Sequence, residues 1–160
     1  MFGRFIGPET IVATNQKFKL AKEIKKGDYI LNNNQVLCVI KCFGSTIINI
    51  NNEIAISHSY PIMKNYFKWQ YPSDFSTKLI GVDCQYNYVL SGSGIMKIGK
   101  NTQFLIPTIG HRLHDNSFNH EYISSNKIIY DLENLEGYKD GEVYISNIRI
   151  NKFGKIYKFE

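Results

Sequence analysis

The most reactive side chains in this sequence are three cysteines and four histidines. Cys38 and Cys42, followed much later by His111, His114 and His120, are residue types that bind zinc. On a straight strand, however, ligands four residues apart lie ~13 Å from one another, too far for one tetrahedral ion. Unless a turn separates them, the two thiols are packing residues, and neither a metal nor a cofactor is expected. Ser91-Gly92-Ser93-Gly94 has the composition of a phosphate loop, but no Lys-Ser or Lys-Thr pair follows and no helix is signalled after it. It reads as a hairpin turn. Hydroxyl and imidazole groups concentrate in two other places, Ser57-His58-Ser59-Tyr60 and Thr108-Ile109-Gly110-His111. Such groups donate hydrogen bonds and, for histidine, move protons near neutral pH. His111 is open to two readings: a site residue, or a ring that bonds a carbonyl and fixes the turn after Gly110.

Whatever these groups do, strands must position them. Short apolar runs rich in β-branched and aromatic residues, bounded by Asn, Gly, Asp and Ser, predict strands at Thr10–Ala13, Tyr29–Leu31, Val36–Phe43, Ile47–Ile50 and Ile54–Ser57. Further runs predict them at Tyr86–Leu90, Ile95–Ile98, Phe104–Ile106, Glu142–Ile148 and Lys155–Lys158. Early in the chain, Leu20–Ile24 alone suggests a helical turn, stopped by Lys26-Gly27-Asp28. Asn32-Asn33-Asn34 predicts a hairpin tip, so the strand after it should pair antiparallel with Tyr29–Leu31. With 160 residues and no linker, repeat or low-complexity tract, a single all-β domain over residues 1–160 is expected.

The net charge of +5 invites a nucleic-acid reading, yet the lysines are dispersed. Only Lys22, Lys25 and Lys26 cluster, and a mildly basic solvated surface accounts for them. Most aromatic residues occupy alternating strand positions that should face a core. No apolar run approaches the ~20 residues of a spanning helix, so no membrane association is expected. The N-terminus has no apolar stretch of signal-peptide length, and an odd cysteine count points to reduced thiols in a cytoplasmic setting.

Three segments in order carry a family resemblance. Glu9-Thr10-Ile11-Val12-Ala13-Thr14, followed by Phe18–Leu31 with its Ile24-Lys25-Lys26-Gly27-Asp28-Tyr29-Ile30 turn, resembles the opening of the Hint fold of hedgehog autoprocessing domains and inteins. Ile56-Ser57-His58-Ser59-Tyr60-Pro61-Ile62, with Trp69-Gln70-Tyr71-Pro72 behind it, is similar to that family's Thr-x-x-His-Pro-Ile motif and Trp segment. Tyr86–Leu90, Pro107-Thr108-Ile109-Gly110-His111, His120-Glu121-Tyr122, Ile128–Leu132 and Gly141-Glu142-Val143 resemble the Vint branch of that superfamily. The resemblance implies a horseshoe-like fold of many short antiparallel strands. In the turn, Gly27 would supply a permissive backbone and Asp28 a cap. Trp69 and Tyr71 would be core.

The resemblance also implies a chemistry. A first-residue Cys or Ser attacks the carbonyl just before it, while the motif Thr and His polarise that carbonyl and protonate the departing nitrogen. The nucleophile's place falls five residues before Thr10, at Phe5, or with gaps at Arg4 or Met1, and none bears a thiol or hydroxyl. The motif alignment puts Ser57 at the Thr position and Tyr60 at the His position, where a phenol is a poor proton donor. His58, two residues earlier, would share the face of Tyr60 on a strand and could substitute for it; the other reading is a partly exposed structural histidine. Thr108 and His111 match a late motif near the reactive centre, and His120 is expected to be structural. The expected function is therefore a Hint-type domain inactive in autoprocessing and retained to bind or scaffold a protein partner or fused segment. Two other readings stand beside it: an active self-processing domain with Met1 in place of a Cys or Ser, and a basic nucleic-acid-binding β domain.

Overall fold

A computed structural model describes residues 3–64 and 68–160. Its spine is a ribbon of two long antiparallel strands, β4 (Asn34–Ile50) and β8 (Leu79–Leu90), paired from Val36↔Leu90 to Ile48↔Leu79. Sequence patterning divides β4 in two at Gly44-Ser45, because glycine reads as a break. Here it marks close approach instead: a Cβ at Gly44 would lie 1.8 Å from the Val82 carbonyl oxygen. A bulge at Leu37 shifts the register between Val36 and Cys38.

Both faces of this ribbon are covered, so both are apolar. On one side Val36, Val39, Tyr86 and Tyr88 join a core completed by a six-stranded sheet in the order β2-β1-β9-β10-β6-β7. Those strands are β1 (Ile11–Ala13), β2 (Phe18–Leu20), β6 (Ile62–Lys64), β7 (Trp69–Gln70), β9 (Ile95–Ile98) and β10 (Phe104–Pro107). On the other side Cys38, Ile40, Cys42 and Val89 pack with helix α1 (Asn126–Glu133) and strands β11 (Glu142–Ile145), β12 (Ile148–Ile150) and β13 (Ile156–Phe159). The short strands β3 (Tyr29–Ile30) and β5 (Ile54–Ile56) pair with the two ends of β4. The result is a mostly antiparallel architecture of open sheets, as expected of a Hint-like horseshoe.

The Asn-rich tip forms as expected: Asn33 takes φ 60° and Tyr29 pairs with Gln35. The turn before it also matches expectation. Gly27 has φ +95°, and the Asp28 carboxylate accepts from the Lys25 N–H at 2.9 Å and from Lys19 Nζ at 3.1 Å. The Leu20–Ile24 signal yields one 3-10 turn, Ala21–Glu23. Other expectations are corrected. Ser91–Gly94 is not a hairpin turn, since β8 and β9 belong to different sheets and the segment carries the chain from one to the other. Glu142–Ile148 divides into β11 and β12, and β11 runs parallel to β4 through Glu142↔Val39 and Ile145↔Cys42. Helix α1 escapes the pattern reading because Ile128, Ile129 and Tyr130 are strand-type residues; burial of Ile128 and Leu132 on one face settles it. No described helix is long and apolar enough to cross a membrane.

Glu53 ties the two halves of the first core together. Its carboxylate accepts backbone N–H bonds from Lys100, Asn101 and Thr102, at 2.9–3.3 Å, in the turn between β9 and β10. Burial opposes its ionisation, but the N–H donors of Asn101, Lys100 and Thr102 outweigh burial and hold its pKa below the ordinary value. A folded-state pKa below the unfolded one means stability is present above about pH 4.3 and lost as pH falls through the lowered value. Glu53→Gln is expected to cost about 2 kcal/mol at neutral pH and to flatten the acid limb of the unfolding curve, measured by urea titration across pH.

Candidate functional site

The chain entering the fold runs antiparallel to residues 56–59. Ile6 bridges Ile56 and exchanges backbone bonds with Tyr86, Ile6 N to Tyr86 O at 2.9 Å and Tyr86 N to Ile6 O at 2.8 Å. One step outward, the Ser57 N–H donates to the Phe5 carbonyl at 3.0 Å. Ser57 Oγ accepts from Phe5 N at 3.1 Å and donates to Phe5 O at 3.0 Å. Ser59 Oγ repeats the pattern with Gly3 N and O, at 3.1 and 3.2 Å. Serine hydroxyls thus continue a strand ladder whose last backbone bond is the one from Ser57 N–H, because Tyr60 N–H folds back to Ser57 O at 3.2 Å in a turn.

This places the Arg4–Phe5 peptide in a closed hydrogen-bond frame. Its N–H is held by Ser57 Oγ, and its carbonyl accepts from Asn87 Nδ2 at 2.6 Å. The same Asn87 Nδ2 donates to Tyr60 Oη at 3.2 Å, and Asn87 Oδ1 accepts from Tyr88 N at 2.6 Å and Ile109 N at 3.3 Å. Burial pushes the Tyr60 hydroxyl well above its usual pKa, with the Arg4 charge pulling weakly the other way, so it is a neutral phenol.

Neither side chain flanking that peptide is a nucleophile. Phe5 is fully buried, stacked on Phe159 with centroids 5.9 Å apart at 21°, and Phe159 meets Tyr122 edge-on at 5.7 Å. Arg4 is 2% exposed. Its Nη1 donates to the Thr108 and His111 carbonyls at 2.9 and 2.7 Å, and its Nη2 to Ser124 Oγ at 2.8 Å. Among the described residues no carboxylate pairs with this guanidinium, and burial lowers its pKa to about 10.

Of the residues expected at the site, Ser57 and Tyr60 converge on the Arg4–Phe5 peptide, Tyr60 through Asn87. Thr108 and His111 take part through their carbonyls, which hold Arg4. Thr108 Oγ1 donates to Gly94 O at 2.9 Å, and the half-buried His111 ring packs on Gly94. Burial, and then the Arg4 charge, lower the His111 pKa. His58 is exposed in the turn and not on a strand, so it does not share the face of the buried Tyr60. His120 is structural as expected: its Nδ1 accepts from Tyr122 N and Ile123 N at 3.0 and 3.1 Å. Tyr71 is 37% exposed against Phe118 and not core, and Trp69 is only partly buried. Burial raises the Cys38 and Cys42 thiols to about 11 and about 12. The Met1 register lies outside the described residues.

Arg4, Asn87 and Ser124 were missed as site residues. Asn87 had a signal, an amide inside the apolar run Tyr86–Leu90, and a buried strand amide demands partners. Arg4 stands in the sequence only as one register of the missing nucleophile, and nothing local announces that an arginine next to Phe5 is buried.

Chemically, the frame can polarise the Arg4 carbonyl and receive the Phe5 nitrogen's hydrogen. A benzyl group has no lone pair with which to attack, and no imidazole or carboxylate among the described residues hydrogen-bonds Ser57 Oγ to activate it.

Among solved structures, a variant of the gp41-1 intein is similar, with 20% sequence identity, a TM-score of 0.44, and coverage of 64% of this chain and 98% of that one. No curated protein matches the sequence. The profile of the Vint family, described as a Hint-domain, matches residues 5–156, beginning at Phe5 itself, and the chain belongs to that family.

Proposed function

We propose that this chain is a Hint-type domain disarmed for autoprocessing, acting as one domain over residues 1–160 and retained as a binding or scaffold module for a protein partner. The observation that carries the reading is Phe5. It lies in the hydrogen-bond frame of Ser57 and Asn87 where the family's nucleophile would lie, and its ring is a core residue stacked on Phe159. Tyr60, in the family's histidine position, is a buried phenol that burial makes a still weaker acid than a free tyrosine, a poor proton donor to a departing nitrogen.

The test is a fusion carrying a protein ahead of Met1, incubated at neutral pH with and without dithiothreitol and read by intact mass. No product cut between Arg4 and Phe5 is expected. Clean, thiol-accelerated cleavage at that bond would overturn the reading.

A further inference from the structure

The two-stranded hairpin of β12 and β13 is a sheet of its own, anchored through Ile156 and Phe159 in the second core. Its tip lies at the surface, with residues 151–155 all exposed and Gly154 and Lys155 edging a cleft shared with His120 and Glu121. The tip is built rather than loose: Asn151 Oδ1 accepts from the N–H groups of Phe153 and Lys155 at 2.9 and 3.0 Å, and Gly154 turns the chain at φ +78°. At its apex Phe153 is 75% exposed, with Ile150 at 52% and Tyr157 at 41% on the strands below. Between residues 148 and 159 there are four cations, Arg149, Lys152, Lys155 and Lys158, and no acid. Arg149 is engaged by Glu160 and sits directly opposite Lys158, a like-charged pairing that strands avoid.

We infer that this hairpin tip docks on an anionic lipid surface, with Phe153 entering the headgroup boundary and Lys152, Lys155 and Lys158 held by lipid phosphates and carboxylates. An apical aromatic ring flanked by lysines is the pairing that an anionic bilayer interface rewards, apolar insertion together with charge attraction. The chemistry favours lipid over a nucleic acid. Lys152 Nζ already lies 5.2 Å from the Phe153 ring centroid, covering a face that a base would need for stacking. At a bilayer the same ammonium stays with the headgroups while the ring enters. The aliphatic Ile150 gains from the acyl boundary and has little to gain from bases. Such docking needs no spanning helix and is independent of whether the Arg4–Phe5 bond can be cleaved.

The experiment is co-sedimentation of the full chain with vesicles of phosphatidylcholine alone, or with one third phosphatidylserine. Binding is expected only to the anionic vesicles and should weaken as salt is raised. Phe153→Ser should reduce it roughly tenfold. Lys152→Glu with Lys155→Glu should abolish it, and Tyr144→Ser, removing an exposed aromatic of β11 (56% exposed), should leave it unchanged. Equal binding to neutral vesicles, no binding, an equal loss with Tyr144→Ser, or single-stranded DNA outcompeting the anionic vesicles would each overturn the assignment.

Discussion

Truncation of Phe5 to alanine is expected to destabilise the protein by about 3–5 kcal/mol, the cost of emptying a fully buried aromatic site whose neighbours are held by their own strands. The ring is stacked on Phe159, which in turn lies against Tyr122, whose hydroxyl accepts from Phe159 N at 3.0 Å. The surrounding side chains are thus pinned and cannot collapse into the space. Phe5→Leu keeps most of the volume and should cost less than about 1.5 kcal/mol. Urea unfolding midpoints of the two variants read this directly. A loss below about 1 kcal/mol in Phe5→Ala would mean that the ring merely occupies an old reactive position without having become part of the core.

The second large effect is a gain. The Arg4 carbonyl already accepts from Asn87, and the Phe5 nitrogen is already held by Ser57. What the frame lacks is a thiol and a proton donor. The double variant Phe5→Cys with Tyr60→His supplies both, and it is expected to release a fused upstream protein in a thiol-dependent reaction that the parent chain does not perform. Phe5→Cys alone should react roughly 10²- to 10⁴-fold more slowly, the usual contribution of a positioned general acid. An imidazole at position 60 would meet the same deep burial and the same Arg4 charge that act on Tyr60, the two effects that, burial first, lower the His111 pKa, so its protonated form should be lost at a pH below the ordinary histidine range. Cleavage should therefore fall off on the alkaline side earlier than a free imidazole would suggest. A folded but inert double variant would show that the frame has drifted at more than these two positions.

Sequence reading locates this site through chemistry that acts locally. Gly27 and Asp28 are legible because a turn needs a positive φ and a cap within a few residues, and Ser57 with Phe5 is legible only through the family resemblance, registered on Thr10 and Pro61. The remainder of the frame depends on groups far apart in the chain. Arg4 bonds Ser124, 120 residues away, and Asn87 bonds the Arg4 carbonyl from 83 residues away. No local pattern encodes such a meeting. The long ribbon is hidden for a different reason: Gly44 has the composition of a break and the geometry of close approach between two paired strands. His58 misled because a turn at Ser57–Tyr60 places neighbours on different sides, whereas a strand would have kept alternate residues together.

The distances along the chain also set an order of events. The segment at residues 4–6 can be seated only once Ser57, Tyr86 and Asn87, the Thr108 and His111 carbonyls, and Ser124 are in place, and Phe5 needs Phe159 as well. Loop closure across such separations is slow, and contacts of this kind form late. Residues 4–6 are then among the last to dock. This short segment works as a latch, closing over a scaffold that must already be nearly complete.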